Sequence, residues 1–430
     1  MREPSWRPTH AHVRATIAGT VLMVTAVASG RPDLALIAVP LAVVAAWAGV
    51  NRPRRQPQIR TEHGALTVNE GEDFAWSTTV SDVDPGARLV TVHPGQRFLE
   101  VEPARGLMQA TDLKETEVRI GLRATRWGRR QLGDPVIAVY DRLLAWRLGP
   151  VTEHSHSVTV LPAPHAVIAH APAPHPRGLV GMERASRVGE GSEFNKVRPF
   201  AAGDRLRRIH WPVTARTGRL HVTATHADED TQVVLLVDAL NDIGESTGLQ
   251  GVHSSMDITV RAVAAVAAQF LRRGDRVGMR VFGDWRVSML APRSGQIQLR
   301  RILDSLCLIE PGSARGAAPV TSRKGLSPGT LVLMFSPMVE PEVAAQVGVL
   351  LRTGLDVVVI DTLPPDAVAT SSAPYPEALA WRIRMVERRL ELDRLATLGV
   401  PVVRWSGPHS LDIVLRDLSL RPMRPRLVAR

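Results

Sequence analysis

One stretch of this 430-residue chain crowds guanidinium groups against carboxylates. Residues 189–223 hold Arg198, Arg205, Arg207, Arg208, Arg216 and Arg219 around Glu193 and Asp204, with Phe194 and Trp211 among them. A planar guanidinium grips a carboxylate through two parallel hydrogen bonds and stacks well on an indole. The chemistry on offer is therefore ion pairing rather than bond breaking. Pro199, Gly203, Pro212 and Gly218 punctuate the stretch as turns, and neither helical nor strand periodicity runs through it cleanly. It reads as a structural ion-pair network and, more sharply, as a clasp that docks on a neighbouring domain. Elsewhere, His165, His170 and His175 recur every five residues, which matches no helical face and no usual zinc spacing. Cys307 is the sole cysteine, so no intrachain disulfide framework exists, and its apolar setting reads as core. There is no phosphate loop ending in Lys-Ser/Thr and no nucleophile elbow. No catalytic residue is assigned, and the chain reads as a non-enzyme.

The elements that would position these groups begin with two uncharged runs, residues 15–30 and 34–50. Each is close to the length that spans a bilayer, and Arg31-Pro32-Asp33 forms a polar turn between them. Arg2, Arg7 and Arg14 precede the first run, and Arg52, Arg54, Arg55 and Arg60 follow the second. The positive-inside rule then puts both ends of a transmembrane hairpin in the cytoplasm. A competing reading takes Ala26-Val27-Ala28 as a signal-peptide cleavage site, with the second run as a stop-transfer segment. Both readings leave the bulk of the chain cytoplasmic, anchored at a membrane. The formal net charge of +11 suits an anionic membrane surface, nucleic acid or an acidic partner.

Five regions follow from the pattern: a hairpin at 1–55, a β-sandwich at 56–160, a linker and clasp at 161–230, an α/β domain at 231–420 and a basic tail at 421–430. Short runs at 65–68, 74–80, 88–93, 98–101, 117–124 and 135–140, separated by turn residues, predict a sandwich closest to immunoglobulin or fibronectin type III topology. Residues 162–176 are rich in Pro, Ala and His and read as a partly extended linker. From residue 232 strands alternate with helices. Strands are expected at 232–237, 276–282, 286–290, 331–335, 356–361 and 400–404. Helices are expected at 256–273, 297–308, 340–352 and 379–398. That alternation implies a mostly parallel, Rossmann-like sheet covered on both faces.

The run Glu193-Phe194, Arg198-Pro199-Phe200, Gly203-Asp204, Arg207, Ile209, Trp211 and Ala215-Arg216 resembles the signature of the domain-of-unknown-function family DUF 58. Phe200 stands where that family usually has Tyr. Arg126-Trp127-Gly128-Arg129-Arg130 with Leu132-Gly133 resembles a second family pattern, which Asp141-Arg142-Leu143-Leu144 then departs from. The resemblance implies a membrane hairpin, a β-rich domain, the signature and a von Willebrand factor A-like domain. Asp275-Arg276-Val277-Gly278 with Phe282-Gly283 resembles the second strand of the latter. Such domains hold a divalent cation at the carboxyl ends of the strands through an Asp-x-Ser-x-Ser loop. Here that loop reads Asp238-Ala239-Leu240-Asn241-Asp242, without the serines, and Ser336 stands where a second aspartate is expected. Asp238, Asp242 and Ser336 are the oxygens left for an ion such as Mg2+, and the departures point to a degenerate site that kept its fold and lost its metal.

Three function classes compete. The first is a membrane-anchored, non-catalytic scaffold whose α/β domain docks a partner. The family resemblance implies a MoxR-type AAA+ ATPase in that role, with Asp238 and residues 240–255 as the rim. The second is a nucleic-acid binder, which the charge invites but which the interleaved acids and missing stacking platforms oppose. The third is a metal-dependent hydrolase, for which no nucleophile and base pair can be named. In the scaffold reading the clasp residues Arg198, Asp204, Arg207, Trp211 and Arg216 lock the sandwich to the α/β domain.

Overall fold

The computed structural model describes residues 5–63, 67–111, 116–152, 156–163, 188–201, 209–226, 232–284, 286–287, 289–312, 326, 330–365, 367 and 375–407. Its elements run β1 (Trp6–Pro8), α1 (His10–Ser29), α2 (Pro32–Val50), β2 (Gln58–His63), β3 (Thr67–Asn69), β4 (Asp73–Ser81), β5 (Arg88–Val92), β6 (Leu99–Glu102), β7 (Met108–Thr111), β8 (Thr116–Ala124), β9 (Gly128–Gln131), β10 (Val136–Tyr140), β11 (Trp146–Thr152) and β12 (Ser157–Leu161). They continue with β13 (Val188–Pro199), α3 (Trp211–Thr217), β14 (His221–His226), β15 (Gln232–Asp238), α4 (Ser255–Arg272), β16 (Arg276–Phe282), β17 (Leu290–Arg293), α5 (Gln296–Leu306), β18 (Leu331–Ser336), α6 (Pro341–Arg352), β19 (Asp356–Asp361), α7 (Tyr375–Thr397) and β20 (Val402–Arg404). Contacts divide the chain into two units. One is Met1–Pro162 with Thr247–Gly251, and the other is Ala163–Ser246 with Val252–Arg430.

In the first unit, α1 and α2 are long and apolar enough to cross a membrane. Gly30 closes α1 in the left-handed conformation and Pro32 opens α2, so the chain reverses within a few residues. The residues buried within the helices are small: Gly19, Ala26, Ala38, Ala45 and Ala48. A β-carbon at Gly19 would lie 3.1 Å from the Ala42 nitrogen, so the absence of a side chain lets the backbones approach. Branched side chains such as Val24, Val27, Leu36 and Val43 face outward.

The strands of this unit form sheets in the orders β1-β11-β10-β5-β7, β2-β4-β8-β6 and β3-β12-β9. Burial alternates along β4, where Trp76, Thr78 and Val80 point inward, and along β5, where Leu89 and Thr91 do. Trp76, Val80, Ile120 and Leu122 from one sheet share a core with Leu89, Ile137, Val139 and Leu148 from another, which makes a β-sandwich. No strand is expected from the sequence at β1. It pairs with β11, so the chain joins the sandwich before α1 begins. Three residues with a proline carry too little alternation to signal a strand. The base of the hairpin is fastened as well. Trp6 Nε1 donates to the Arg55 carbonyl at 2.8 Å, Trp146 Nε1 donates to the Ala48 carbonyl at 2.9 Å, and the Arg52 guanidinium lies 4.9 Å from the centre of the Trp146 ring.

In the second unit, the six-stranded sheet has the order β17-β16-β15-β18-β19-β20. All its neighbours are parallel except β16 and β17. The edge strand occupies residues 290–293 rather than the expected 286–290. Gly278 permits its close approach, since a β-carbon there would sit 2.9 Å from the Leu290 carbonyl oxygen. Helix α4 packs with α5, and α6 with α7. Val343, Val347 and Leu395 from the latter pair close over Val332, Met334, Val357 and Val359 of the sheet.

The stretch expected to be irregular contains β13 and β14, paired antiparallel, with α3 between them in the chain. The pairing shifts register between Gly189 and Phe194 and again between Phe194 and Lys196. Those irregularities break the two-residue alternation that marks a strand in sequence.

Candidate functional site

Strand order fixes where the second unit gathers its polar groups. Numbered from β15, the sheet reads 3-2-1-4-5-6, and the order reverses between β15 and β18. Open parallel sheets place their functional crevice beyond the carboxyl ends at such a switch point. Asp238 ends β15 and Ser336 ends β18, in neighbouring strands. Register sets Ser336 opposite Asp361 of β19 and Asp238 opposite Phe282 of β16.

The two residues meet directly. Ser336 Oγ donates to Asp238 Oδ2 at 2.6 Å, and the Leu240 N–H donates to Asp238 Oδ1 at 3.0 Å. Ser336 Oγ itself accepts from the Met338 N–H at 2.8 Å. This tight turn holds Met338 at a φ of +52°, a left-handed conformation unusual for a non-glycine residue. Asp238 is 2% exposed and Ser336 is fully buried. Burial pushes the Asp238 carboxyl up to about 6; the hydrogen bonds from Ser336 and Leu240 pull the other way, and the charge of Glu340 adds to the rise.

A second brace crosses the same gap: Asn241 Nδ2 donates to Glu340 Oε1, joining the loop after β15 to the start of α6. Beneath it, Ala239 N–H donates to the Phe282 carbonyl at 2.7 Å. Gly283 adopts φ +93°, and a β-carbon there would lie 2.8 Å from the Leu240 nitrogen and 2.9 Å from the Ala239 carbonyl carbon. On the far side, Thr259 of α4 and Thr362 after β19 share a buried hydroxyl contact of 2.7 Å. Arg388 of α7 pairs with Asp361 at 2.5 Å and donates to the Pro337 carbonyl at 2.7 Å. Arg384 donates to the Val339 carbonyl at 2.5 Å, so two arginines pin the loop that follows Ser336.

Asp242 does other work. Its Oδ1 accepts from the Met256 N–H at 3.0 Å and from Ser255 Oγ at 3.4 Å, which ties it to the amino end of α4. There Ser254 and Asp257 form a reciprocal capping box. The three expected ion ligands thus divide into a hydrogen-bonded Asp238–Ser336 pair and a helix-capping Asp242. Among the described residues no cluster of three or more His, Cys, Asp or Glu side chains could hold a metal ion. A hard cation needs several oxygens converging on one point, whereas Asp238 is turned to Ser336 and the Leu240 N–H, and Asp242 to the amino end of α4. As arranged here, these residues offer a resident divalent cation no converging ligand set.

Of the signature residues, Gly203, Asp204 and Arg207 lie outside the described residues. Glu193, Phe194 and Arg198 belong to β13, whose backbone pairs Phe194 with Thr225 and Arg198 with Val222. Trp211 opens α3 and is 66% exposed, and Arg216 near the other end of α3 is also exposed. Both lie on a seven-residue helix with no buried residue. His165, His170, His175 and the basic tail fall outside the described residues. Sequence reasoning missed Asn241, Glu340, Thr259, Thr362 and the two arginines of α7. Besides the singled-out Asp238, Asp242 and Ser336, the capping pattern around Ser254 was legible, since helix caps are local, whereas the missed contacts join residues tens of positions to about a hundred apart.

Residues 196–367 match the model of the family described as Protein of unknown function DUF58, so the resemblance seen in the signature is shown over that span. An uncharacterized protein of Mycobacterium bovis and uncharacterized proteins of two strains of Mycobacterium tuberculosis are each 28% identical to the chain over 130 residues. The match takes in 30% of this chain and 40% of each relative, so the chain spans less than half the length of the curated relatives it matches. A non-cellulosomal cohesin from the archaeon Archaeoglobus fulgidus is 12% identical, with a TM-score of 0.19, over 24% of this chain and 91% of the cohesin. The cupredoxin domain of amoB from Nitrosocaldus yellowstonii is 10% identical, with a TM-score of 0.17, over 25% of this chain and 88% of that domain.

Proposed function

We propose that the chain is a membrane-anchored, non-catalytic adaptor whose α/β unit is a von Willebrand factor A-like domain and docks a protein partner. The observation that carries this reading is the state of the switch point. A sheet of order 3-2-1-4-5-6 with an antiparallel third strand keeps an aspartate at the end of its first strand, yet Ser336 and Asn241–Glu340 brace the crevice shut. A crevice closed on itself buries its hydroxyl–carboxylate pair, Ser336 with Asp238, away from any substrate, while its rim remains a shaped surface. Within residues 240–255 that rim is Leu240–Ser246 and Val252–Ser255, because Thr247–Gly251 groups with the first unit. Gly244 and Glu245 stand exposed on it.

In the same reading α1 and α2 span the inner membrane, and the sandwich, of immunoglobulin or fibronectin type III kind, and the α/β unit lie in the cytoplasm. Fastening both ends of the hairpin to one sandwich, through β1 and through Trp146, supports having the two ends on one side of the bilayer. The partner is a MoxR-type AAA+ ATPase, as the family resemblance implies. The test is affinity purification of the tagged full chain from native membranes, beside a Glu245→Lys variant. Co-purification of such an ATPase, reduced by the rim substitution, is the expected result. An ATPase-free eluate, or one in which the substitution changes nothing, overturns the assignment of the rim.

A further inference from the structure

Helix α7 has two apolar faces. One belongs to the fold: Leu395 and Leu392 pack into the core beside α6, and Arg388 and Arg384 pin the loop after β18. The other consists of Leu379, Ile383, Val386 and Leu390, which are 45%, 52%, 62% and 53% exposed. Their spacing of four, three and four residues is the heptad spacing of a coiled-coil seam. With Ile383 and Leu390 at the a positions and Leu379 and Val386 at d, Arg382 and Arg389 fall at g, and Ala380 and Glu387 at e. We propose that this stripe pairs with the same stripe of a second copy of the chain, α7 against α7, in parallel.

Two observations select that occupant. The first is width. A helix lying on a bilayer presents a broad apolar face, whereas a seam of a and d positions alone is narrow and suits one partner helix. Here the exposed large apolar residues of α7 are confined to the seam, and Arg382, Glu387, Arg389, Asp393 and Arg394 stand exposed beside it. The second is charge. A parallel pair brings each g residue against the e residue five positions on in its partner: Arg382 meets Glu387 of the other copy within the seam, twice by symmetry, and Arg389 meets Arg394 only past the seam's end, where Asp393 takes the d position. An antiparallel pair would set g against g and bring Arg382 towards Arg389. Glu387 is 58% exposed and pairs within its own helix with Arg384 at 3.3 Å, a geometry open to a second guanidinium. The seam ends where Asp393 takes the next d position, after about 16 Å of helix. Pairing over so short a length is reversible rather than permanent.

Single cysteines placed in the full chain in nanodiscs test the pairing. Ile383→Cys and Val386→Cys should each form a disulfide-linked dimer under mild oxidation, because a and d residues face their own counterparts across a parallel two-fold axis. Wild type, whose Cys307 is buried, and Ile297→Cys, exposed on α5, should not. Arg382→Glu should cut the cross-linking yield of Val386→Cys several-fold, and adding Glu387→Arg should restore it. Three results overturn the proposal: yields no higher than for Ile297→Cys; cross-links only in mixtures of Ile383→Cys with Val386→Cys, which indicates antiparallel pairing; or protection of Val386→Cys from a water-soluble thiol reagent in nanodiscs holding a single copy, which indicates lipid contact.

Discussion

Replacing Asp238 by asparagine should remove a pH-dependent cost from the second unit. The carboxyl lies at the switch point with its folded pKa at about 6, against 3.8 for a free aspartate. A shift of that size corresponds to about 3 kcal/mol, at about 1.36 kcal/mol per unit. Its sign follows from proton counting. Between pH 3.8 and 6 the folded state holds more protons than the unfolded chain, so stability falls as pH rises through this window, and the full cost is present above it. Asparagine keeps the shape, can accept from the Leu240 N–H, and can donate to Ser336 Oγ in place of accepting from it. In a unit of this size about 3 kcal/mol amounts to roughly 6–12 °C in melting temperature. The assay is thermal unfolding of the full chain in detergent at intervals from pH 4 to 8, with Asp238→Asn compared to wild type at each. The variant should gain on wild type as pH rises from 4 to 7 and then hold its advantage. A gap that does not change with pH would refute the claim that Asp238 is buried as a strained anion at neutral pH.

Gly283→Ala should destabilise the same unit by more than roughly 1 kcal/mol, because it meets backbone atoms of residues 239 and 240 and a left-handed φ together; urea denaturation read by near-UV circular dichroism checks it. Ser254→Ala should cost about 1 kcal/mol by removing one arm of the capping box, seen as faster amide exchange in the first turn of α4. The sandwich should respond to pH in the opposite sense to Asp238. Burial lowers the pKa of His93 below the usual 6.5, so its contribution is lost as pH falls below 6.5, and His93→Gln should flatten that limb of the melting curve. Trp146→Phe deletes the hydrogen bond to Ala48 and should cost about 1 kcal/mol, read as increased protease cutting near Asn51.

Much of the α/β unit could be read residue by residue. The strand at 356–361 lies where the apolar run puts it, and α4 begins at the serines that cap it. These signals are local: a capping box spans four residues, and a buried parallel strand is an uninterrupted apolar run. The sandwich was legible where burial alternates, as in β4, and not where strands are short or contain proline, as in β1 and β11. The candidate site was half legible. Asp238 and Ser336 were singled out, but as ion ligands, and the direct bond between them could not be inferred from residues 98 positions apart. The signature could be followed only in part: Gly203, Asp204 and Arg207 lie outside the described residues, and Trp211 and Arg216 are exposed on a short helix.

Sequence by itself determined the apolar hairpin, the alternation of strands and helices, and the aspartate that ends the first strand of the six-stranded sheet. Each depends on the order of side chains along a few turns or one strand, and hydrophobic burial and backbone hydrogen bonding act on that order directly. Only the tertiary structure decided that the crevice is braced by Ser336 and by Asn241 with Glu340, that Asp242 serves a helix, and that α7 keeps a second apolar face open. Those outcomes depend on which strands become neighbours and in what register, and a parallel sheet sets that through crossovers far longer than any local pattern in the chain.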